Sequence, residues 1–330
     1  MLRLAIAGAA HIHMPSYIGA LKERPDVRVT AVWDHDFARA ATRAAELQAL
    51  PVMQVQEAIR DADAVLVCAE TSRHLELVRA ITRAGKPLFV EKPLGLNGFE
   101  ARQMSEAIEA AGVLYQTGFG KRCFPYTQFL REQIRSGVFG KLTRARVSVV
   151  HGGALGPKFD TEWRWMADPV QAGGGGFLDL GTHGLDLLLW WLGEVDCVTA
   201  SFGRTPIRYP GCDEYGEGLL RFKNGTTATL AAGWVDVTDP YDMALWGTEG
   251  MAYVTRDDRL FFRSFKVPEA DGKQPWTNLP PAKPTPFQQF LDAVTGKPHD
   301  GLIPVREAAY VDIVMEALYK GAREQTWVTI

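Results

Sequence analysis

Apolar and polar positions alternate in two different ways along this chain. In about the first 120 residues, short apolar runs alternate with longer segments whose apolar residues recur every three to four positions. The short runs predict strands, and the periodic segments predict helices. The predicted strands are Leu2–Ala7, Val27–Trp33, Ala64–Cys68, Pro87–Val90 and Leu114–Thr117. The predicted helices are Met14–Arg24, Phe37–Leu47, Arg73–Ala84 and Gly98–Ala111. This alternation is typical of an α/β fold with a parallel, doubly wound sheet.

The second half of the chain consists mainly of strands joined by short turns, one of them a tight hairpin signal at Lys223-Asn224-Gly225. The predicted strands are Lys141–Val150, Glu217–Phe222, Thr226–Trp234, Met243–Trp246 and Met251–Val254. A last helix is predicted over Val305–Lys320, whereas prolines and scattered charges predict an irregular surface segment over Phe261–Pro284. Strands followed by a helix favour an α+β domain with a large, open, mainly antiparallel sheet.

The length of 330 residues favours two domains, which we place at residues 1–121 and 122–330. A net charge of −3 offers no basic surface for nucleic acid or for an anionic membrane. The chain enters a strand almost at once, so we expect no secretory signal, and no apolar stretch is long enough to span a bilayer. Four cysteines without C-x-x-C spacing predict reduced thiols in a cytoplasmic protein (Cys68, Cys123, Cys197 and Cys212).

The first strand ends in a turn that resembles a dinucleotide-binding loop. Such a loop needs glycine at its first, third and sixth positions, and Gly8-Ala9-Ala10-His11-Ile12-His13 keeps only the first. The amino terminus of the following helix still offers backbone N–H groups to a phosphate. The pair His11 and His13 could ligate a metal, but no third ligand is near in sequence, and we therefore predict no metal site.

An acidic residue, Asp34, follows the second strand. A carboxylate at this position accepts hydrogen bonds from the adenosine ribose and repels a 2′-phosphate, which favours NAD over NADP. The alternative is that Asp34 caps the next helix.

A glycine run, residues 173–176, precedes a segment that spaces Asp179, His183 and Asp186 at i, i+4 and i+7. In a helix these side chains share one face. A carboxylate beside an imidazole is suited to general-base catalysis, because the carboxylate orients the ring and stabilises the imidazolium. The alternative is that Asp179 caps the helix and that His183 is a core residue.

Several motifs in order then resemble one family. They are Glu91-Lys92-Pro93 after the fourth long strand, the Gly118-Phe-Gly-Lys-Arg122 segment, Trp163-Arg164, the Asp179…His183 segment and Gly247-Thr-Glu-Gly250. Over nearly its whole length the chain is similar to the glucose–fructose oxidoreductase, inositol dehydrogenase and MocA family. The resemblance implies an N-terminal Rossmann domain, the cofactor NAD and oxidation of a secondary alcohol in a sugar, inositol or related polyol. It implies that Lys92, Asp179 and His183 are catalytic.

The resemblance also implies a set of cofactor contacts: Gly8, Ala10, His11, Ile12, Asp34, Ala69, Glu70, His74, Glu91 and Lys92. Two positions depart from the family pattern. Cys68-Ala69-Glu70 stands where a Thr-Pro pair is usual, which adds a negative charge near the cofactor, and Gly120 replaces an asparagine.

Aromatic residues interleaved with charged ones suit a polyhydroxylated ring, because they stack on its C–H face and bind its hydroxyls. The predicted substrate residues are Arg122, Asp160, Trp163, Arg164 and Trp165, with Asp179 and His183. The tryptophans could equally be packing residues. The glycines that bracket the segment could let it move as a lid.

Three other functions remain open. They are redox-neutral, NAD-dependent glycoside hydrolysis, a non-catalytic NAD-binding regulatory role, and a metal-dependent isomerase built on Asp179, His183 and Asp186. The resemblance further implies a homodimer or homotetramer formed through the C-terminal sheet.

Overall fold

A computed structural model describes residues 1–205 and 209–330. The chain forms two compact units. The first contains residues 1–118, 159–173 and 284–313, and the second contains residues 119–158, 174–283 and 314–330. The functional division at residues 121 and 122 stays a prediction.

The first unit contains a six-stranded parallel sheet with strand order β3-β2-β1-β4-β5-β6. Its strands are β1 (Leu2–Ala7), β2 (Val27–Trp33), β3 (Leu50–Val52), β4 (Ala64–Val67), β5 (Leu88–Val90) and β6 (Tyr115–Thr117). Its helices are α1 (Met14–Lys22), α2 (Phe37–Leu47), α3 (Val55–Arg60), α4 (His74–Arg83), α5 (Gly98–Ala111), α7 (Pro169–Ala172) and α9 (Pro286–Val294). The order reverses between β1 and β4, which is where doubly wound sheets bind ligands.

Local sequence signals fix the ends of these helices. The Asp36 side chain accepts the backbone N–H groups of Ala38 and Arg39 and so caps α2. Helix α9 begins with a capping box formed by Thr285 and Gln288. This helix contributes Phe287 and Phe290 to the apolar core below the sheet, where both rings contact Phe89 of β5 at centroid distances of 5.3 and 6.0 Å.

The second unit contains a nine-stranded sheet with strand order β14-β13-β12-β11-β7-β10-β9-β8-β15, in which only β7 and β10 pair in parallel. Its strands are β7 (Leu142–Val150), β8 (Val195–Gly203), β9 (Tyr215–Phe222), β10 (Thr227–Gly233), β11 (Tyr241–Gly247), β12 (Gly250–Thr255), β13 (Leu260–Ser264), β14 (Asp271–Pro275) and β15 (Val328–Thr329). Its helices are α6 (Pro125–Arg135) and α8 (Gly176–Leu192), and α10 (Val305–Glu324) contains the boundary between the two units.

Helix α8 covers one face of this sheet, against β7, β9 and β10. The α/β fold with a mainly antiparallel second sheet confirms the predicted fold class. The prediction of an irregular segment over Phe261–Pro284 is wrong, since β13 and β14 lie within it. Strand β13 alternates buried and more exposed positions and pairs with β12, a contact that its flanking prolines do not reveal.

Among the described residues, no helix has both the length and the apolar character that crossing a membrane requires. The four cysteines are buried and are not joined in disulfides. The cytoplasmic location predicted from them stays a prediction.

Candidate active site

The predicted cofactor residues follow the carboxyl ends of β1, β2, β4 and β5, and therefore lie at one edge of the parallel sheet. Gly8 ends β1 with a φ of +84°, and a Cβ added there would overlap Ala69 after β4. Glycine is therefore required for the close approach of these two strand ends. Helix α1 has no side-chain cap at its N-cap residue His13. Pro15 in its first turn has no N–H group, and the N–H groups of Met14 and Ser16 donate to the carbonyl oxygens of His11 and His13.

Asp34 is buried and does not cap α2, the role that Asp36 fills. Its carboxylate accepts the backbone N–H of Ala9 at 2.7 Å and that of Asp36 at 2.9 Å. The carboxylate thus ties the end of β2 to the turn after β1.

Arg39 pairs with Glu70 and so offsets the negative charge that Glu70 adds. Its guanidinium bonds Asp34 in a bidentate manner, with distances of 2.9 and 2.7 Å, and bonds Glu70 at 2.7 Å. Burial lowers the pKa of Arg39, but the two carboxylates outweigh it and raise the pKa above its ordinary value. Two carboxylates therefore surround one guanidinium beside the predicted ribose site, which disfavours a 2′-phosphate.

Lys92 is almost fully buried and is the second residue after β5, with a cis peptide bond to Pro93. Two elements hold this segment. His74, the first residue of α4, has its Nδ1 3.1 Å from the carbonyl oxygen of Leu94, and Asp312 of α10 accepts the N–H of Gly95 at 2.8 Å. Burial lowers the pKa of His74, which favours its neutral form. His74 thus has a supporting position in this unit.

The predicted substrate residues fall in both units. Asp160, Trp163, Arg164 and Trp165 belong to the first, and Arg122, Asp179 and His183 belong to the second. Asp160 and Arg164 are exposed, and Trp163 is half-buried. Trp165 is buried, and its indole N–H donates to the carbonyl oxygen of Ala10 at 3.0 Å. Trp165 therefore braces the turn after β1, and its role in binding substrate stays a prediction.

Asp179 and His183 lie one turn apart on α8, where both side chains are partly exposed although most of the helix is buried. The carboxylate of Asp179 accepts the indole N–H of Trp234 at 3.0 Å. His151 is close to the same carboxylate. Its pKa is lowered by burial and by the charge of Lys158, against the opposing effect of Asp179.

The glycine run before α8 permits close packing. A Cβ at Gly175 would overlap the carbonyl oxygen of Asp213, and one at Gly176 would lie 2.6 Å from that of Glu214. The side chain of Asp213 accepts the N–H groups of Gly175 and Phe177 and the hydroxyl of Tyr319. Asp213, rather than Asp179, therefore accepts the backbone N–H groups at the start of α8.

Asp186 is fully buried and pairs with Arg122. The guanidinium approaches the carboxylate at 2.6 and 2.9 Å, and it also lies over the ring of Trp190 at 5.3 Å. This pair joins the segment before α6 to the middle of α8.

Sequence reasoning did not identify Arg39, Trp234 or Asp312 as neighbours of the predicted site. Arg39 carried a local signal, because it lies five positions after Asp34. Trp234 is 55 positions from Asp179, and Asp312 is 217 positions from Gly95. No local pattern reports such pairs.

Comparison with known proteins agrees with this architecture. A family model described as an oxidoreductase family with an NAD-binding Rossmann fold matches residues 2–119. A second, described as the GFO/IDH/MocA C-terminal domain, matches residues 127–253. The predicted family, its fold and its NAD cofactor are confirmed at this level.

Among curated relatives, myo-inositol 2-dehydrogenase of Thermotoga maritima is 36% identical over 172 residues, 51% of this chain and 48% of the relative. Levoglucosan dehydrogenase of Pseudarthrobacter phenanthrenivorans is 26% identical over 198 residues, 53% of this chain and 50% of the relative. The chain thus spans about half the length of these relatives. Among solved structures, the WlbA dehydrogenase of Bordetella pertussis in complex with NADH and UDP-GlcNAcA has a TM-score of 0.83 at 20% identity, covering 100% of this chain and 98% of that one.

Proposed function

We propose that this chain, which belongs to the GFO/IDH/MocA family of oxidoreductases, oxidises a secondary alcohol of a sugar, inositol or related polyol with NAD. Two relatives, a myo-inositol 2-dehydrogenase and a levoglucosan dehydrogenase, support this substrate class.

The observation that carries the proposal is the partly exposed face of α8. Asp179 and His183 lie there one turn apart on a helix whose other positions are mostly buried, and Trp234 fixes the Asp179 carboxylate. We assign His183 as the base that takes the hydroxyl proton and Asp179 as the group that supports its charge. General-base catalysis of this kind contributes about 10²–10⁴-fold in rate.

The residues at the sheet edge fit NAD. Asp34, which accepts the backbone N–H of Ala9 in the turn after β1, suits its adenosine ribose. NAD, when bound, supplies the acceptor for the hydrogen that leaves the alcohol carbon. We assign Lys92 as the cation that stabilises the developing alkoxide, a task for which a buried ammonium is effective because little water screens it.

The test uses the variants Lys92→Ala and His183→Ala in the full chain, with Lys22→Ala and His299→Ala as exposed controls. Reduced-nicotinamide absorbance is followed over a panel of inositols, aldoses and anhydrosugars, with NAD and NADP in parallel. We expect kcat to fall at least about 10²-fold in both site variants and to be unchanged in the controls. Wild-type turnover in both site variants would refute the assigned roles.

The same panel distinguishes the other functions. Release of sugar from a glycoside without accumulation of NADH would indicate redox-neutral hydrolysis. Calorimetric binding of NAD without turnover on any substrate would indicate a regulatory protein.

We also propose that the chain forms a homodimer or homotetramer through the sheet face opposite α8. Gly184 of α8 faces Val147, so the alternate residues of β7 and their strand partners point away from this helix. That face carries Arg144 over the ring of Trp246 at 4.7 Å, and Tyr253 stacked on Phe261 at 4.8 Å. Light scattering after size exclusion should show an oligomer for the wild type and a smaller species for Tyr253→Lys. A monomeric wild type would exclude this assembly.

A further inference from the structure

We propose that His11, His13 and Glu91 form a binding site for one divalent transition-metal ion, with Zn²⁺ the best match to the ligands. Each residue offers a ligand atom, and these atoms all lie within 4.8 Å of one another. The sequence argument against a metal was the lack of a third ligand, and the fold supplies it 78 positions after His13.

The sheet topology explains the cluster. The two histidines lie on the turn after β1, and Glu91 directly follows β5. Strand β4 pairs in parallel with β1 on one side and with β5 on the other. The residues that follow β1 and β5 therefore lie at the same carboxyl edge of the sheet. The cluster therefore belongs entirely to the first unit.

The distances are short enough for a metal to gather the ligands. His13 Nδ1 lies 3.0 Å from Glu91 Oε1, and His11 Nδ1 lies 4.0 Å from Glu91 Oε2. Ligand atoms on a tetrahedral zinc are about 3.3 Å apart, given bonds of about 2.0–2.1 Å. The most distant pair must therefore close by at most about 1.5 Å. Ligation through His11 Nδ1 would displace the backbone N–H of His13, which now donates to it at 3.2 Å.

Neighbouring groups orient the carboxylate. The Tyr17 hydroxyl donates to Glu91 Oε1, and the backbone N–H of Lys92 donates to Oε2 at 2.8 Å. Gly118 also borders the carboxylate, since a Cβ there would lie 3.0 Å from Oε2. Outer hydrogen bonds of this kind fix ligand geometry in metal sites.

Burial strengthens the attraction of the Glu91 carboxylate for a cation. Glu91 and His11 are almost fully buried, so little water screens the carboxylate from a dication. The neighbouring Lys92 ammonium opposes this attraction.

His13 provides access to the site. Its side chain is 37% exposed, whereas those of His11 and Glu91 are 2% and 0% exposed. Two imidazoles and one carboxylate form the ligand set of zinc sites that keep a fourth position open to water or to an oxygen of a ligand. We place that open position on the His13 side.

The metal site shares His11 and Glu91 with the predicted cofactor contacts, but the test of metal binding needs no turnover. The full chain is treated with a chelator, dialysed and titrated with Co²⁺ while visible absorbance is recorded, and with Zn²⁺ by calorimetry. We expect one equivalent to bind, with visible Co²⁺ bands of low coordination number. His13→Ala and Glu91→Gln should each weaken binding at least about 100-fold, and the exposed control His299→Ala should bind as the wild type does.

Two outcomes would overturn the proposal. One is the absence of stoichiometric binding by the wild type. The other is binding that persists unchanged in His13→Ala, which is partly exposed and whose folding can be checked by circular dichroism. Loss of hydride transfer in Lys92→Ala with intact Co²⁺ bands, or the reverse in His13→Ala, would separate the two proposals.

Discussion

Asp312 should make the protein less stable as the pH rises. It lies on α10, is nearly fully buried and accepts the backbone N–H groups of Leu94 and Gly95. Burial raises its pKa from 3.8 to about 8, although these two hydrogen bonds act in the opposite direction. The folded protein therefore keeps a proton on Asp312 over a pH range in which the unfolded chain has released it.

The sign and the size follow from linkage. Because the folded pKa is the higher one, the contribution of Asp312 is fully present below pH 3.8, declines as the pH rises and is lost once the pH passes about 8. Between pH 5 and pH 8 the free energy of unfolding falls by about 1.4 kcal/mol for each of about three pH units, a loss of about 4 kcal/mol.

The perturbation is Asp312→Asn, which keeps an acceptor for the Gly95 N–H but cannot ionise. Unfolding by guanidinium, followed by tryptophan fluorescence at pH 5, 6.5 and 8, gives the free energy of unfolding. The free energy of unfolding of the variant, relative to that of the wild type, should rise by about 4 kcal/mol between pH 5 and pH 8. Glu316→Gln, an exposed position on the same helix, should show no such gain. A stability difference between Asp312→Asn and wild type that is the same at all three pH values would refute the reasoning.

Three further predictions concern single contacts. Glu70→Gln removes one carboxylate from Arg39 and should lower the ratio of the NADPH to the NADH dissociation constant about tenfold. Fluorescence titration measures both constants. An unchanged ratio would show that Arg39 does not reach the 2′ position. Asp186→Asn leaves the Arg122 guanidinium buried without its ion pair and should cost about 3–5 kcal/mol of unfolding free energy in thermal or chemical unfolding. Breaking the exposed pair of Lys223 and Glu194 should leave the stability nearly unchanged. Gly175→Ala should lower the melting temperature by several degrees, because the added Cβ overlaps the Asp213 carbonyl oxygen. Gly156→Ala is the matched control, since a Cβ there meets open space. Equal melting temperatures of the two variants would contradict the close-packing role of Gly175.

The first sheet was the part of the fold most accessible from sequence. Strand β2 and helices α2 and α5 have the predicted bounds, because their apolar periodicity is strong and their ends carry local signals. Gly112 at a φ of +61° ends α5, as a glycine after the last periodic residue indicates. Helix α9 also carried such a signal, the Thr285–Gln288 capping box with Pro286 at its first turn, and was missed beside the proline-rich segment.

The site was only partly accessible from sequence. Motif spacing could place Asp179 and His183 on one helix face, and the structure has both side chains partly exposed there. Spacing could not show that the glycines before them pack against the Asp213 and Glu214 backbone. From sequence, these glycines were interpreted as residues that could let the neighbouring segment move as a lid. It also could not join Glu91 to His11 and His13, because strand order, and not separation along the chain, decides which strand ends are neighbours.

The indole bond from Trp165 to Ala10 gives this protein a built-in optical reporter. The Trp165 ring also lies 5.8 Å from the imidazole of His11. We therefore expect its fluorescence emission to change when a ligand binds at the turn after β1. A variant that keeps this tryptophan and replaces the other eight with phenylalanine would report ligand arrival as a change in intensity at one known place. The kinetics of loading could then be recorded in a stopped-flow instrument without any label.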